Sequence, residues 1–211
     1  MKILSLEQGS PEWIEWRKTV ITATDSAVIL GESPYKTPYC LYMQKKGLYA
    51  PDEVNDRMLK GQLLESEARM CYEMEVAQLM NPAVVVHDDL NFLAASLDGL
   101  SEDMTRAVEI KCPGKKTHSI AKKGKIPDIY IWQLQHQMLV TGLPFIDYFS
   151  YDGHGIVVRL DRDEEKISRI KDAAISFYEG LVHNVPPAKT ALDIENEKAR
   201  EDVDEFLSRF D

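Results

Sequence analysis

Two acidic residues and a lysine carry the clearest chemical signal in this sequence. Asp98 lies in the segment 96–100, which reads S-L-D-G-L, and Glu109 and Lys111 follow in the segment 108–111, which reads V-E-I-K. Residues two apart on a β-strand point to the same face, so Glu109 and Lys111 are predicted to share a face while Ile110 points into the core. If the two segments form adjacent strands, two carboxylates and an ammonium group converge.

This grouping suits the hydrolysis of a phosphodiester. Two carboxylates can hold Mg²⁺, a hard cation that takes oxygen ligands, and the backbone carbonyl of Ile110 between them is a candidate further ligand. The metal would polarise the phosphate and lower the pKa of a bound water, while Lys111 would orient or deprotonate that water and stabilise developing charge. The alternative is a surface strand with ordinary charges, because Glu-x-Lys tripeptides are common. Asp98 upstream weakens that alternative.

The elements that must position these residues follow from the hydrophobic pattern. Short apolar runs bounded by turn residues predict strands, and longer runs of helix formers predict helices. A helix at 128–141 is predicted to begin at the capping residue Asp128, to stop at Gly142 and to cross between the third and fourth strands. The fold class is therefore α/β, a central mixed β-sheet flanked by helices. The predicted strands are 83–86, 92–97, 107–110, 145–151 and 156–160, and the other predicted helices are 63–75 and 163–179.

The composition predicts a single soluble domain. The chain has 211 residues, of which 44% are hydrophobic and 28% charged, and no apolar run approaches the roughly 20 residues of a membrane helix. The first residues become polar too soon for a signal peptide, and three widely spaced cysteines do not form a disulfide framework. We expect a reducing, cytoplasmic location and no contact with a membrane.

The charge is unevenly distributed. A net charge of −10 argues by itself against binding a polyanion. Residues 111–125, however, contain six lysines and no acidic residue, which leaves −16 on the remainder of the chain. Lys115 and Lys116, close to the proposed site, are candidate contacts to DNA. The alternative is a solvated lysine loop, which is what charge runs usually are.

Asp98 with Glu109-Ile110-Lys111 resembles the core of the PD-(D/E)xK nucleases, and the surrounding motifs resemble the phage lambda exonuclease branch, the YqaJ-type viral recombinases. The likeness runs from about residue 11 to residue 141, and its motifs occur in the family's order. Leu97 stands where the motif has proline, and Thr24 stands where serine is frequent. The motifs outside the core are Trp13-Ile14-Glu15-Trp16-Arg17, Ile21-Thr22-Ala23-Thr24, Gly61-Gln62-Leu63-Leu64-Glu65 and Gln133-Leu134-Gln135.

The resemblance implies roles for individual residues of the core. Asp98 and Glu109 would be metal ligands, Glu65 would be a third carboxylate, and Lys111 would be the catalytic lysine. Gln133 on the crossover helix would hold the water or the scissile phosphate. At about 100° per residue, Gln135 points away from Gln133 and Gln137 lies one turn along the same face, so Gln137 is the second candidate for that role.

The N-terminal motif implies a site for the DNA end. The Arg17 guanidinium suits bidentate phosphate binding, and the Thr24 hydroxyl lies beside a predicted helix start at Asp25, so a terminal 5′-phosphate fits there. Trp13 would stack on the terminal base. The alternatives are a plain surface charge for Arg17 and a core residue for Trp13.

The resemblance implies a Mg²⁺-dependent 5′-to-3′ exonuclease, with Mn²⁺ as an alternative metal, that digests one strand of double-stranded DNA from 5′-phosphorylated ends. Its partners would be DNA ends and a phage single-strand annealing protein, in a bacterial host cell. It also implies a homotrimeric ring. The candidate contacts between subunits recur at helical spacing near the C-terminus and are Val203, Phe206, Leu207 and Phe210. The alternative is an amphipathic helix that packs on its own subunit. Within 1–211, residues 1–50 would bind the DNA end, 56–160 form the catalytic core and 163–211 form C-terminal helices. The alternatives are an endonuclease on the same core and a catalytically silent DNA-binding scaffold.

Overall fold

The computed structural model describes residues 1–53 and 55–207, with the side chains of residues 57 and 200–207 left aside. Its strands are β1 (Lys2–Leu4), β2 (Ile21–Thr22), β3 (Met80–Val86), β4 (Leu93–Ser101), β5 (Ala107–Lys111), β6 (Phe145–Tyr151) and β7 (Gly155–Asp161). Its helices are α1 (Pro11–Arg17), α2 (Ser26–Ile29), α3 (Pro38–Lys45), α4 (Asp56–Val76), α5 (Lys115–Ala121), α6 (Asp128–Thr141), α7 (Glu164–His183) and α8 (Ala191–Leu207). A single 3₁₀ turn, Ala23–Asp25, connects β2 to α2.

The strands form one mixed sheet, as the sequence predicts. The order is β1-β3-β4-β5-β6-β7, with β2 paired to β4. β5 and β6 are parallel and are connected through α5 and α6, whereas β3, β4 and β5 pair antiparallel in sequence. The five predicted strands are confirmed as β3 to β7, and the observed ends differ from the predicted ends by at most four residues. Two further strands, β1 and β2, have only three and two residues and give no periodic signal.

Strand pairing is interrupted along one edge of β4. Along the opposite edge, β3 pairs with most of the strand. On the interrupted edge, β2 pairs with Leu93 and Ala94, and β5 pairs with Gly99 and Leu100. Residues 95–98 lie between these two ladders, and within the described part of the chain no strand pairs with them on that side. Side chains rather than a neighbouring strand therefore surround this stretch.

Helix α6 covers the interruption. Leu134 and Met138 are fully buried in the main core, and α6 lies between the sheet and α7. Gly142 ends the helix with a left-handed φ of 76°, which confirms the predicted stop. The prediction that Asp128 caps the helix is wrong: Pro127 occupies the cap position and Asp128 is the first helical residue. Proline fits there because the first turn of a helix lacks acceptors for its N–H groups.

The other predictions concern two helices, the cysteines and the C-terminal contact residues. The predicted helices at 63–75 and 163–179 correspond to the longer α4 and α7. None of the three cysteines forms a disulfide, and no described helix is long and apolar enough to cross a bilayer. The predicted C-terminal contact residues lie outside the described part, because Phe210 and the side chains of Val203, Phe206 and Leu207 are not described.

Candidate active site

The structure brings Asp98, Glu109 and Lys111 together at the interruption of β4. The β4–β5 ladder contains only two residue pairs, so the strands separate just before Asp98 and Glu109 would pair. Where the strands separate, the Asp98 carboxylate accepts a 2.7 Å hydrogen bond from the Ile110 backbone N–H and so connects β4 to β5. In an extended strand the C=O of a residue points to the same side as its N–H. The Ile110 carbonyl, the candidate metal ligand, therefore also lies on the Asp98 side of β5.

Glu109 is the most deeply buried carboxylate of the site, with 1% of its surface exposed. Its Oε1 accepts hydrogen bonds from Lys111 Nζ and from Gln133 Nε2, and its Oε2 accepts one from Gln137 Nε2. The prediction that Glu109 and Lys111 share a face is confirmed by this contact. Gln133 and Gln137 both reach the site from α6 and both donate to Glu109. That either of them holds the water or the scissile phosphate stays a prediction.

Gln135 takes a different direction, as helical geometry predicts. Its side chain donates to the Asp161 carbonyl and accepts from the Asp163 N–H, which connects α6 to the start of α7. Ile110 is 5% exposed and packs in an apolar cluster with Ala68 and Tyr72 of α4. One face of β5 therefore packs in the hydrophobic core, and its other face holds the site residues Glu109 and Lys111.

The site is crowded with negative charge. Burial raises the pKa of Asp98 well above its ordinary value, and repulsion from Glu109 and Glu65 adds to the increase. Burial lowers the pKa of Lys111, but the carboxylates of Glu109 and Asp98 outweigh burial and raise it above its ordinary value. Lys111 is therefore held as an ammonium group, and it is the charge that compensates this cluster.

Glu65, the third predicted carboxylate, approaches the site from α4. Its charge contributes to the raised pKa of Asp98, which places it close to that side chain. In this structure its Oε1 accepts a 3.0 Å hydrogen bond from Arg69 one turn further along α4. The helix thus brings Glu65 to the rim of the site, where it is paired with an arginine.

The donor set fits a hard divalent cation, although no group of three or more His, Cys, Asp or Glu side chains in the described ranges has the arrangement of a metal site. Asp98 and Glu109 offer only oxygen atoms, the ligand type that Mg²⁺ and Mn²⁺ prefer. The pKa of Asp98 is raised first by burial and then by repulsion from Glu109. A cation bound between these two carboxylates would offset their repulsion, so the residues present suit the metal that the sequence implies.

A second cluster lies beside the first and contains the predicted end-binding residues. The Arg17 guanidinium stacks 4.4 Å from the centre of the Trp13 ring, and its Nη2 donates to Thr24 Oγ1 at 2.9 Å. Trp13 Nε1 donates to Ser96 Oγ at 3.1 Å, and Ser96 lies two residues before Asp98 on the same face of β4. Trp13 thus covers Arg17 with one ring face and connects it to the strand that carries Asp98.

The backbone below Thr24 is fixed by a buried ion pair. Asp25 accepts hydrogen bonds from the Thr22 N–H and hydroxyl, and its Oδ2 lies 2.9 Å from Lys45 Nζ. Burial would raise the pKa of Asp25, but Lys45 and the Thr22 N–H lower it below its ordinary value. The predicted helix start at Asp25 shifts by one residue, because Asp25 ends the 3₁₀ turn and α2 begins at Ser26. This turn presents the Thr24 hydroxyl to Arg17.

The predicted DNA-contacting lysines lie on α5, which directly follows β5. Lys115 and Lys116 are exposed. The helix is anchored by His118, which is buried and whose Nδ1 lies 2.8 Å from Ser150 Oγ on β6. The lysine segment is therefore an ordered, exposed basic surface adjoining Lys111.

Sequence reasoning missed Ser96 and Tyr130. Ser96 gives no signal because a serine in a strand is common, and only the structure shows its contact with Trp13. Tyr130 lies one turn before Gln133 on α6, and Lys111 Nζ lies 5.4 Å from the centre of its ring. The helical spacing of 130, 133 and 137 could have identified it as a third residue on the face of α6 that meets the site.

Comparison with known protein families gives a match to the model of the YqaJ-like viral recombinase domain over residues 12–144. Among curated proteins, the chain is 28% identical over 183 residues to the uncharacterized protein YqaJ of Bacillus subtilis (strain 168), covering 83% of this chain and 57% of that protein. It is 32% identical over 166 residues to the uncharacterized protein R354 of Acanthamoeba polyphaga mimivirus, covering 71% and 30% respectively. The chain thus spans about half the length, or less, of these curated relatives.

Solved structures give the same fold. The alkaline exonuclease LHK-Exo from Laribacter hongkongensis superimposes with a TM-score of 0.73 at 28% identity, over 91% of this chain and 99% of that chain. A structure of LHK-Exo in complex with dAMP has the same TM-score at 27% identity, with the same coverage. A phage related exonuclease from Haemophilus somnus 129PT shares the fold at 17% identity, with a TM-score of 0.56 over 78% of this chain and 96% of that chain.

The charge balance of the site predicts opposite effects of two substitutions on stability. Asp98→Asn keeps an acceptor for the Ile110 N–H and removes a repelled carboxylate, so the free energy of unfolding at neutral pH should rise by about 1 kcal/mol or more. The raised pKa of Asp98 means that its ionisation destabilises the fold as the pH rises above the ordinary range of an Asp carboxyl. The gain should therefore shrink as the pH is lowered towards 4, where the carboxyl of the folded chain is protonated and that of the unfolded chain, with an ordinary pKa of about 3.9, is about half protonated.

Lys111→Met removes the compensating ammonium and should lower the free energy of unfolding by about 2 kcal/mol. Lys115→Met, on the exposed α5, is the matched control and should change it by less than about 0.5 kcal/mol. Urea unfolding without divalent ions, at pH 4 and at pH 8, measures all three variants. A stabilising Lys111→Met, or a destabilising Asp98→Asn at pH 8, would contradict this charge balance.

Proposed function

The chain belongs to the YqaJ-like viral recombinase domain family, and from that premise we propose that it is a metal-dependent deoxyribonuclease that digests one strand of double-stranded DNA from 5′-phosphorylated ends. Digestion would proceed 5′ to 3′ and leave 3′ overhangs. The observation that carries the proposal is the convergence of Asp98, Glu109 and Lys111 at the interruption of β4. The structural likeness to an alkaline exonuclease at 28% identity over 91% of the chain supports the same reaction class.

The roles of the site residues follow from their contacts. Asp98 and Glu109 would hold Mg²⁺, or Mn²⁺ in its place, which when bound polarises the scissile phosphate and lowers the pKa of a bound water. Gln133 and Gln137 fix both oxygens of Glu109 and so orient its carboxylate. Lys111, as an ammonium group, would donate to the phosphate or to the water and stabilise the charge that develops there. Glu65 would add a carboxylate at the rim if Arg69 released it.

The second cluster would bind the end of the digested strand. Arg17 and Thr24 lie within hydrogen-bond distance of each other, so both can reach one terminal phosphate. Burial lowers the pKa of Arg17 from its ordinary value. Because arginine side chains stay protonated in proteins, the guanidinium is a cation in a partly desolvated position. Trp13 would contribute by holding Arg17 against its ring and by stacking on the terminal base. Lys115 and Lys116 would contact the DNA backbone beyond the site.

We further propose that the protein acts as a homotrimeric ring and supplies 3′ overhangs to a phage single-strand annealing protein in the cytoplasm of a bacterial host. With a net charge of −10, a single copy would be held poorly by DNA, and a closed ring would retain it topologically. The basic surface of α5 beside Lys111 would then line the channel, while acidic surfaces face outward.

The proposed reaction predicts a defined substrate preference. Linear duplexes with a 5′-phosphate should lose one strand from that end in the presence of Mg²⁺, and a chelator should stop the reaction. Glu109→Gln and Lys111→Ala should each reduce the rate at least about a hundredfold, because the metal is not held or the developing charge is not compensated. Gel electrophoresis of end-labelled strands measures this. Cleavage of closed circular DNA would instead indicate an endonuclease, and DNA binding without cleavage would indicate a scaffold.

Arg17→Ala should selectively remove the preference for phosphorylated ends, because the guanidinium is proposed to bind that dianion. Initial rates on 5′-phosphorylated and 5′-hydroxyl duplexes should converge in the variant. Lys18→Ala, the next residue and an exposed lysine paired with Glu15, is the matched control and should keep the wild-type preference. Equal slowing of both substrates by Arg17→Ala would show that Arg17 acts as a general backbone contact or a structural residue.

The ring predicts a mass and a kinetic property. Light scattering after size exclusion should give about three times the mass of the 24.0 kDa chain. Complexes already engaged on long DNA should continue digestion after excess competitor DNA is added. A monomer that digests with the same resistance to competitor would show that a ring is not required.

A further inference from the structure

Ser96 contacts both clusters of the candidate site. Its hydroxyl oxygen accepts a 3.1 Å hydrogen bond from Trp13 Nε1, and its backbone carbonyl lies 3.4 Å from Gln137 Nε2. Trp13 belongs to the second cluster, whereas Gln137 donates to Glu109 in the first. Ser96 also lies two residues before Asp98 on the same face of β4. One residue therefore connects the proposed phosphate site to the proposed metal site.

The segment 95–98 of β4 has a neighbouring strand on one edge only. Its first three residues pair with β3. On the other edge it lies between the ladders to β2 and β5, and no strand of the described chain pairs with it there. Side chains contact the segment instead, namely those of Trp13 and Gln137, and the Asp98 carboxylate accepts from the backbone of β5. Because pairing is incomplete, the position of this segment depends on these contacts.

The indole of Trp13 is held at two points. The Arg17 guanidinium stacks 4.4 Å from the centre of the ring, within the range of a cation–π contact, and the indole N–H donates to Ser96. Arg17 in turn donates to Thr24 Oγ1 at 2.9 Å. A phosphate bound by Arg17 and Thr24 would fix the guanidinium, and the stacked indole would be fixed with it. The hydrogen bond to Ser96 would then transmit this restraint to β4.

We propose that Ser96 is a positioning residue that couples the proposed phosphate site to the proposed metal site. When a 5′-phosphate binds at Arg17, the hydrogen bond from Trp13 to Ser96 holds β4 so that Asp98 is aligned for cleavage. With a 5′-hydroxyl end the guanidinium has no phosphate to fix it, and the hydrogen bond contributes little. This inference rests on the proposed function and deepens it, because the 5′-phosphate then accelerates cleavage in addition to strengthening binding.

The ratio of cleavage rates on two duplexes tests the proposal. Single-turnover rates are measured with saturating protein and Mg²⁺ on duplexes that carry a 5′-phosphate or a 5′-hydroxyl. Ser96→Ala removes the acceptor hydroxyl and keeps the backbone carbonyl. It should slow cleavage of the phosphorylated duplex about fivefold, as expected for one lost hydrogen bond, and that of the hydroxyl duplex by less than about twofold. Ser96→Thr, which keeps a hydroxyl, should restore the rate.

A second substitution identifies the hydrogen bond itself. Trp13→Phe keeps an aromatic ring beside Arg17 and removes the indole N–H, so it should lower the rate ratio by the same factor as Ser96→Ala. The double variant should lower the ratio no further, because both substitutions remove the same interaction. In the presence of a chelator, Ser96→Ala should still bind the phosphorylated duplex more tightly than the hydroxyl duplex, because Arg17 and Thr24 are intact.

Thr105→Ala is the matched control. It removes an exposed hydroxyl that donates to Asp103 at 2.9 Å in the turn between β4 and β5, outside both clusters, and should keep the wild-type rate ratio. Equal slowing of both duplexes by Ser96→Ala, or additive effects of Ser96→Ala and Trp13→Phe, would overturn this inference alone. A wild type that cleaves both duplexes at the same rate would overturn the proposed end preference and this inference with it.

Discussion

The buried carboxylate of Glu109 determines how the rest of the site is built. A carboxylate with 1% of its surface exposed is costly unless hydrogen-bond donors and a positive charge surround it. Lys111 supplies the charge from the same strand face, and Gln133 and Gln137 supply donors from α6. The requirement to satisfy Glu109 therefore fixes both the rotation of α6 about its axis and its distance from β5.

The interruption of β4 is the second part of the same arrangement. From the end of the β2 ladder onwards, side chains of α6 contact the backbone of β4: His136 Nε2 lies 3.1 Å from the Ala94 carbonyl, and Gln137 Nε2 lies 3.4 Å from the Ser96 carbonyl. Asp98 makes the corresponding contact with the Ile110 N–H. Side chains of α6 thus take the place of a neighbouring strand along this part of β4. The sheet is left open there, and we propose that the substrate approaches at this opening. The cost is a cluster of carboxylates that repel each other, and such a conflict with stability is typical of a functional site.

The sequence predicts much of this site because its central residues follow simple periodicities. Alternation along β5 is sufficient to place Glu109 and Lys111 together, and helical spacing on α6 is sufficient to relate Gln133 to Gln137. The interruption of β4 could not be predicted, because it depends on β2, whose two residues carry no pattern and pair with β4 only after the chain has folded. Asp128 failed as a cap because a proline before it took the position.

Direct titration of metal into the protein tests the proposal that Asp98 and Glu109 form one divalent-cation site. Isothermal titration calorimetry with Mg²⁺ and with Mn²⁺, in the absence of DNA, measures binding to the wild type, Asp98→Asn, Glu109→Gln and the control Asp88→Asn, an exposed carboxylate paired with the N-terminus. We expect saturable binding to the wild type and to Asp88→Asn, and loss of binding in the other two variants. Binding that is unchanged in Asp98→Asn and Glu109→Gln would contradict it, because the metal would then be held elsewhere.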